Sequence, residues 1–412
     1  MPLFSSYDNN THKQAIMNRR DILKSILGFG IGIGSMPLFS EAAGLQARRL
    51  ILVELSGAND GLNTLVPYRS DLYHQLRPTL SLRENEVTSL HADIAMHKDL
   101  DPMMKHWDNG DLAWVQGLGY PTPNRSHFKS IALWESAGDG EIDVQSRGWM
   151  THAMEHGLRR KVMLAHGISV GGDMNLFNSD SGRWLSISSA SQLTNMPMPP
   201  SIAKHSNNQN RGSRAVANLE YVNTQVNLLN RMLSDINSRL ENLPEMRGFA
   251  KGNFSSQLKT VAELIAGGID TPVFRVRMDG FDTHENQLRR HARLLTSLGK
   301  GLDSMSLALK RMGEWNNTVI MTYSEFGRRA AENDSGGTDH GTAAPHLLLG
   351  GQVRGGLYGD APDLSNLVDG DPEYTADYRG LYQEVLSSWF DVVPGTNTLR
   401  DYSDKRLSKL FV

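Results

Sequence analysis

Apolar residues fall into two kinds of pattern along this chain. The first is a continuous run closed by glycine or polar residues. Leu50-Ile51-Leu52-Val53-Glu54-Leu55 enters Ser56-Gly57-Ala58-Asn59-Asp60-Gly61, and Leu112-Ala113-Trp114-Val115-Gln116-Gly117-Leu118 stops before Tyr120-Pro121-Thr122-Pro123-Asn124. Runs of this length predict strands buried on both faces. Runs at 161–165 and 167–170, on either side of His166, are further strand candidates, and 272–278 and 317–323 predict two more. The second pattern recurs every three or four residues. Tyr221, Val222, Val226, Leu229, Met232, Leu233, Ile236 and Leu240 predict an amphipathic helix over 219–240. Another runs from about 255 to the stop at Gly267-Gly268. Leu288, Leu294, Leu295, Leu298, Leu302, Met305 and Leu309 predict a third, and a short helix over 126–136 follows Arg125.

The third long helix lies between two strands, and strand–helix–strand with that crossover length is a βαβ unit. The fold class is therefore α/β, with parallel strands and helices on the sheet faces. Polar and charged residues crowd the loops that follow the strands, the edge where ligands bind in open α/β sheets. Residues 173–215 are rich in Asn, Ser, Pro and Met, with Pro197, Pro199 and Pro200 close together. They read as an irregular insertion or long surface loop in a single domain over 43–412.

The first 42 residues read as an export signal. Asn18-Arg19-Arg20-Asp21-Ile22-Leu23-Lys24 runs into a short apolar stretch with Gly28, Gly30, Gly32 and Gly34, and Ser40-Glu41-Ala42 supplies small residues for cleavage near Ala42. Glycine at that density disfavours a helix of the folded domain, and the stretch is too weakly apolar for a good membrane span. The arrangement resembles a bacterial twin-arginine signal, with Ile22 where the commonest version has Phe. The expected partner is the twin-arginine translocase, which carries chains already folded. The expected location is periplasmic or secreted, with no stable membrane span after cleavage.

Composition narrows the chemistry. Lys+Arg 42 against Asp+Glu 45 gives a formal charge of −3, so the basic excess of a generic nucleic-acid binder is missing. There is no cysteine, which removes disulfides, thiolate zinc sites, iron–sulfur clusters and cysteine nucleophiles. A metal must then be held by His, Asp, Glu, Asn or hydroxyl groups.

Clusters of such residues sit at successive strand ends. Asp282-Thr283-His284 follows one strand, Glu325 with Arg328 and Arg329 follows the next, and Thr338-Asp339-His340-Gly341-Thr342 comes after. Asp60 follows the first strand, and Asn124-Arg125-Ser126-His127-Phe128 the second. Asp60, Asp282, His284, Glu325, Asp339 and His340 would form an N/O coordination set for one or two ions of zinc, manganese, magnesium or calcium. Each has a bland alternative. Asp60 suits a turn, Ser126 suits a helix N-cap, Asp339-His340 could cap a helix or meet an arginine, and Arg328-Arg329 could be solvated.

Four motifs, from Leu55 through Asp60-Gly61 to Pro67, then Arg125-Ser126-His127-Phe128, Glu325-Phe326-Gly327-Arg328 and Thr338-Asp339-His340-Gly341, resemble the bacterial family of unknown function numbered 1501. That family is placed with the alkaline phosphatases and sulfatases. The resemblance implies an alkaline-phosphatase-like three-layer α/β/α sandwich with a mainly parallel central sheet and a hydrolytic metal site at its strand ends. The superfamily's metal pair falls on Asp282 and His284, its late histidine on His340, and its first-strand Asp-Gly on Ser56-Gly57 or Asp60-Gly61. Its nucleophile falls on Ser126. Its strand-end Asp-His-Gly becomes Glu325-Phe326-Gly327, which removes an imidazole, and a cysteine-derived formylglycine is excluded.

The resemblance thus implies an exported metal-dependent hydrolase of phosphate or sulfate esters. Ser126 would attack a small anionic or polysaccharide-derived ester, and Arg125 or Arg328 would hold the ester oxygens. The alternative is an exported binding or scaffold protein that keeps the fold without turnover.

Overall fold

The computed structural model describes residues 31–32, 48–138, 148–151, 163, 165–177, 182–189, 213–241, 243–392, 407 and 409–412. The export-signal segment lies outside these, except that Ile31–Gly32 pairs antiparallel with Gly182 and Arg183. No helix among the described residues is long and apolar enough to cross a membrane.

The central sheet is built from β1 (Arg49–Ser56), β2 (Leu112–Gly119), β3 (Gly167–Val170), β4 (Gly182–Ile187), β5 (Val273–Asp279), β6 (Thr318–Tyr323), β7 (Ala344–Leu349), β8 (Gly356–Tyr358) and β9 (Ala376–Asp377). Its order is β4-β3-β5-β1-β6-β7-β2, with β8 and β9 both paired to β2. Every pairing among these strands is parallel except β6 with β7 and β7 with β2. The expected mainly parallel α/β sheet is what the chain forms, with β1 at its centre.

β1 shows why the sheet lies between two layers. All eight of its residues are buried, and alternate side chains enter different cores. Ile51, Val53 and Leu55 join one cluster, and Leu50 and Leu52 the other. The first cluster is covered by α2 (Ser213–Leu240), α3 (Asn253–Ala266) and α4 (Gln287–Met312). The second is covered by α1 (His127–Ser136) and α5 (Tyr378–Glu384). On α4, Leu295, Leu298, Leu302, Met305 and Leu309 are at most 1% exposed, most of the stripe read from the sequence, whereas Leu294 is partly buried and Leu288 is exposed. Burying each such side chain contributes about 1.5–3 kcal/mol.

Some expectations change. β4 lies inside 173–215, so part of that segment is a sheet strand rather than an irregular insertion, and Asn175–Phe177 is a 3-10 turn. The alternation in Arg183-Trp184-Leu185 is too short to stand out from its polar surroundings. Residues 190–212 lie outside the described residues. Of 161–165, only Met163 and Ala165 are described, and neither is in a strand.

Candidate metal centre

Parallel strands send their following loops to one edge. β1 leads to Gly57 and Asp60, β5 to Asp282 and His284, β6 to Glu325 and Arg328, and β2 to Arg125 and the start of α1. His340 joins them from the loop before β7, where it forms an antiparallel bridge with Arg328. Gly57 allows the β1 and β5 loops to meet. Its φ is +110°, and a Cβ there would lie 2.3 Å from the Asp282 nitrogen.

Three imidazoles converge on one carboxylate oxygen. Nε2 of His284, His340 and His127 lies 3.0, 3.3 and 3.6 Å from Asp282 Oδ1. His340 Nε2 is also 2.9 Å from His284 Nε2 and 3.0 Å from His127 Nε2. Asp282 and His284 are about half exposed, His127 and His340 less so, which keeps the cluster open to solvent.

The other ring nitrogens fix the tautomers. Nδ1 of His127 is 3.2 Å from Glu325 Oε1, and Nδ1 of His284 is 3.1 Å from Asp339 Oδ1. Nδ1 of His340 is 2.9 Å from the Arg125 carbonyl oxygen. An ionised carboxylate and a carbonyl can only accept, so each Nδ1 carries a proton, and in the neutral ring each Nε2 presents a lone pair. Lone pairs 2.9–3.0 Å apart repel unless a cation lies between them.

A divalent ion fits the core of this donor set: one ligand atom from each of His127, Asp282 and His340 lies within 4.8 Å of the others, and His284 adjoins them through Asp282 and His340. Ligands bound at about 2.0–2.1 Å in a tetrahedron stand about 3.3 Å apart, and the distances of 2.9–3.6 Å bracket that value. Burial alone would push the Asp282 carboxyl up, but hydrogen bonding and charge from Arg328, with His340 and His284, hold it at about 2. Burial keeps His340 below the usual histidine range, whereas the hydrogen bond to Glu325 raises His127. An ionised oxygen and ring nitrogens backed by acceptors are the arrangement of metal-ligating histidines and their supporting groups.

The expected ligand set is brought together only in part. Asp282, His284 and His340 meet; Asp339 and Glu325 stand one layer behind, each holding a histidine. Glu325 is 3% exposed and also accepts from the backbone nitrogens of Gly57 and Ala58 and from the Ser324 hydroxyl, leaving no lone pair for an ion. Burial raises its carboxyl pKa, but the His127 bond and these donors outweigh that and lower it. The positive φ of Gly57 and Ala58, 110° and 68°, turns both N–H groups onto it.

Asp60 is not a ligand. It is fully buried, 2.6 Å from Arg77 Nη1 and bonded by Gln287. Burial opposes its ionisation, and Arg77, then His291 and Arg328, overcome that and lower its pKa.

His127 joins Asp282 and His340 in this cluster, and it is not among the expected ligands. The signal was present in Arg125-Ser126-His127-Phe128, at the same strand edge as the other clusters.

Of the two expected ester-binding arginines, Arg328 is fully engaged elsewhere and Arg125 only in part. Arg328, with its side chain 0% exposed, donates to the carbonyls of Gly57, Ala58, Phe281 and Thr338 and to Asp282 at 2.6 Å. It clamps the loops together and has no donor left for an ester. Arg125 pairs with the buried Asp371. Ser126 is the N-cap residue of α1 by position, but its hydroxyl makes no capping bond. It lies between Arg125, whose carbonyl holds His340, and His127.

A family model described as "Protein of unknown function (DUF1501)" matches residues 186–386, just under half of the chain. It is the family indicated by the four motifs. Similar solved structures include a 2-O GAG sulfatase, with TM-score 0.40 and 7% identity over 89% of this chain and 76% of that one. They also include a protein in the alkaline phosphatase superfamily from Vibrio parahaemolyticus, with TM-score 0.36 and 10% identity over 88% and 71%. A third is the C-terminal periplasmic domain of EcEptC from Escherichia coli in complex with Zn, with TM-score 0.35 and 9% identity over 74% and 73%. No curated protein matches the chain.

Proposed function

We propose that this protein is an exported, metal-dependent hydrolase of phosphate or sulfate esters. One observation carries the reading: three imidazoles, each with Nδ1 held by an acceptor, turn Nε2 onto the same Asp282 oxygen. His127, Asp282, His284 and His340 would hold a divalent ion, zinc being the best match to three nitrogens and one oxygen. When bound, the ion supplies Lewis-acid stabilisation of negative charge on an anionic ester.

The chain's own groups do the rest. Asp339, Glu325 and the Arg125 carbonyl orient the imidazoles, and Arg328 fixes Asp282. Ser126, beside His127 at the start of α1 and free of a capping bond, is the proposed nucleophile. Its oxygen would bond to phosphorus or sulfur as its proton passes to solvent and the ester's alkoxide leaves, taking a proton from water. A water molecule would then cleave the seryl ester and restore the hydroxyl. A helix N-terminus favours the anion there. The engaged state of Arg328 supports the second reading, a binding or scaffold protein without turnover.

The test is elemental analysis of the full chain supplied with zinc, manganese, magnesium or calcium, followed by assays on phosphate and sulfate mono- and diesters. About one ion per chain is expected, together with turnover that a chelator abolishes. Failure to retain any of these metals would overturn the metal centre. Retention without turnover of any ester would favour the second reading.

A further inference from the structure

A cavity of 420 Å³ opens between the start of α3, the end of β5 and the middle of α4. It is lined by Lys251, Arg277 and Lys300, against a single carboxylate, Asp279. Asp279 is engaged by Arg277 at 2.7 Å. Lys251 and Lys300 are exposed and have no carboxylate partner among the described residues. The wall therefore carries two uncompensated ammonium groups.

The backbone adds donors of the same kind. α3 is 14 residues long, and its N-cap Gly252 supplies no side chain to its first N–H groups. Asn253, Phe254 and Ser255, its first three residues, line the cavity. Ser255 is only 4% exposed, yet its hydroxyl has no partner among the described residues. The unpartnered Ser255 hydroxyl, the start of a helix and two ammonium groups without carboxylate partners surround one hollow, a lining rich in donors that suits a tetrahedral oxyanion.

The cavity also belongs to the edge that carries the histidines. Asp279 ends β5, and Asp282 follows in its loop. Arg277 spans the two regions, donating to the Ser56 hydroxyl at 2.8 Å, next to Gly57.

We propose that this cavity is an oxyanion subsite that takes a second sulfate or phosphate group of the substrate, while the histidine centre acts on the first. The substrate class is then an ester bearing at least two anionic groups. The assignment of a second substrate group rests on the hydrolase reading; anion binding itself does not.

Calorimetric titration of inorganic sulfate and phosphate tests the subsite directly, on wild type, Lys251→Gln/Lys300→Gln and His340→Ala. We expect His340→Ala to keep saturable oxyanion binding and the double lysine variant to weaken it about tenfold or more. If wild type shows no saturable binding, or the double variant binds as wild type does, the subsite is overturned. Kinetics separate a free anion from a substrate group. The double variant should raise KM about tenfold for a bis-anionic ester and leave a mono-anionic ester unchanged. Equal KM changes for the two esters would overturn the assignment to a substrate group. If no ester is turned over, the hydrolase reading fails while the titration still decides whether the cavity binds oxyanions.

Discussion

Two clusters of histidine and aspartate occupy opposite ends of the sheet, and they are built for different tasks. At the end where β2 begins, His106 Nδ1 lies 3.0 Å from Asp111, and its Nε2 is 3.3 Å from Asp303 and 3.1 Å from the Ser306 hydroxyl. The distances are those of a Ser-His-Asp hydrolase triad. Yet His106 and Ser306 are fully buried, and the Ser306 hydroxyl donates to the Asp303 carbonyl at 2.8 Å. Lys105 and Lys310 close the carboxylates from outside. Every group there is matched to a partner and no substrate can enter. At the other end, each imidazole has one nitrogen matched and one turned inward toward its fellows, in reach of solvent. Residue types do not separate the two clusters; unmatched lone pairs and access do.

Removing one histidine from each cluster should dissociate the two tasks. His127→Ala takes a donor from the open cluster, and metal retention should fall about a hundredfold or more while the melting temperature changes little. His106→Ala leaves Asp111 and Asp303 without their shared imidazole. Losing these buried hydrogen bonds and opening a cavity costs about 2–4 kcal/mol, with metal per folded chain unchanged. Elemental analysis and thermal unfolding of both variants read the outcome. A His106→Ala protein that folds normally but loses metal would erase the distinction.

The sequence made the sheet core legible because strands buried on both faces appear as continuous apolar runs, as β1, β2, β5 and β6 do. It also placed Asp282, His284 and His340 at one edge, since parallel strands deliver their loops to the same side. What it could not separate was ligand from support. Glu325, Asp339 and Asp60 have the same chemistry as Asp282, and only the fold shows that Glu325 is saturated by backbone N–H groups and Asp60 by Arg77. Arg328 likewise read as an ester clamp because its four backbone acceptors come from loops distant in sequence. His127 was masked by its position at a helix start, where its neighbour Ser126 drew the attention. β4 was missed because it is short and lies in polar surroundings.

A support should matter less than a ligand, and Asp339 is the cleanest place to measure how much less. Its side chain is 56% exposed, its Oδ1 accepts from His284 and from Asn333 at 3.1 Å, and these bonds hold its pKa below the usual carboxylate range, Asn333 first. Asp339→Asn keeps the size but removes the charge behind the imidazole. Metal affinity should weaken by about tenfold, at the low end for such outer groups, and stability should be unchanged. Competition with a chromogenic chelator measures this. A hundredfold or larger loss would place Asp339 among the ligands and make the centre larger than four donors.

A third cluster of charges sharpens the contrast, because its carboxylates move in the opposite direction to Asp282. Glu54 and Glu135 share the buried guanidinium of Arg275, which contacts Glu54 closely and lies 3.2 Å from Glu135 without good hydrogen-bond alignment. One buried cation does not stabilise two buried anions. Burial therefore pushes Glu54 up to about 7 and Glu135 up to about 8, against the lowering effect of Arg275. In the unfolded chain both would ionise near 4.5. Between that pH and about 8 the folded state binds more protons, so stability is full below pH 4.5 and declines as pH rises through the folded values. Glu135→Gln cannot ionise, and its amide oxygen can still accept from Arg275. Its melting temperature should fall less than that of wild type between pH 5 and pH 8, by a difference of about 1 kcal/mol or a few degrees. Melting curves that shift in parallel for the two proteins would mean that Glu135 is ionised in the fold and that Arg275 neutralises both carboxylates after all.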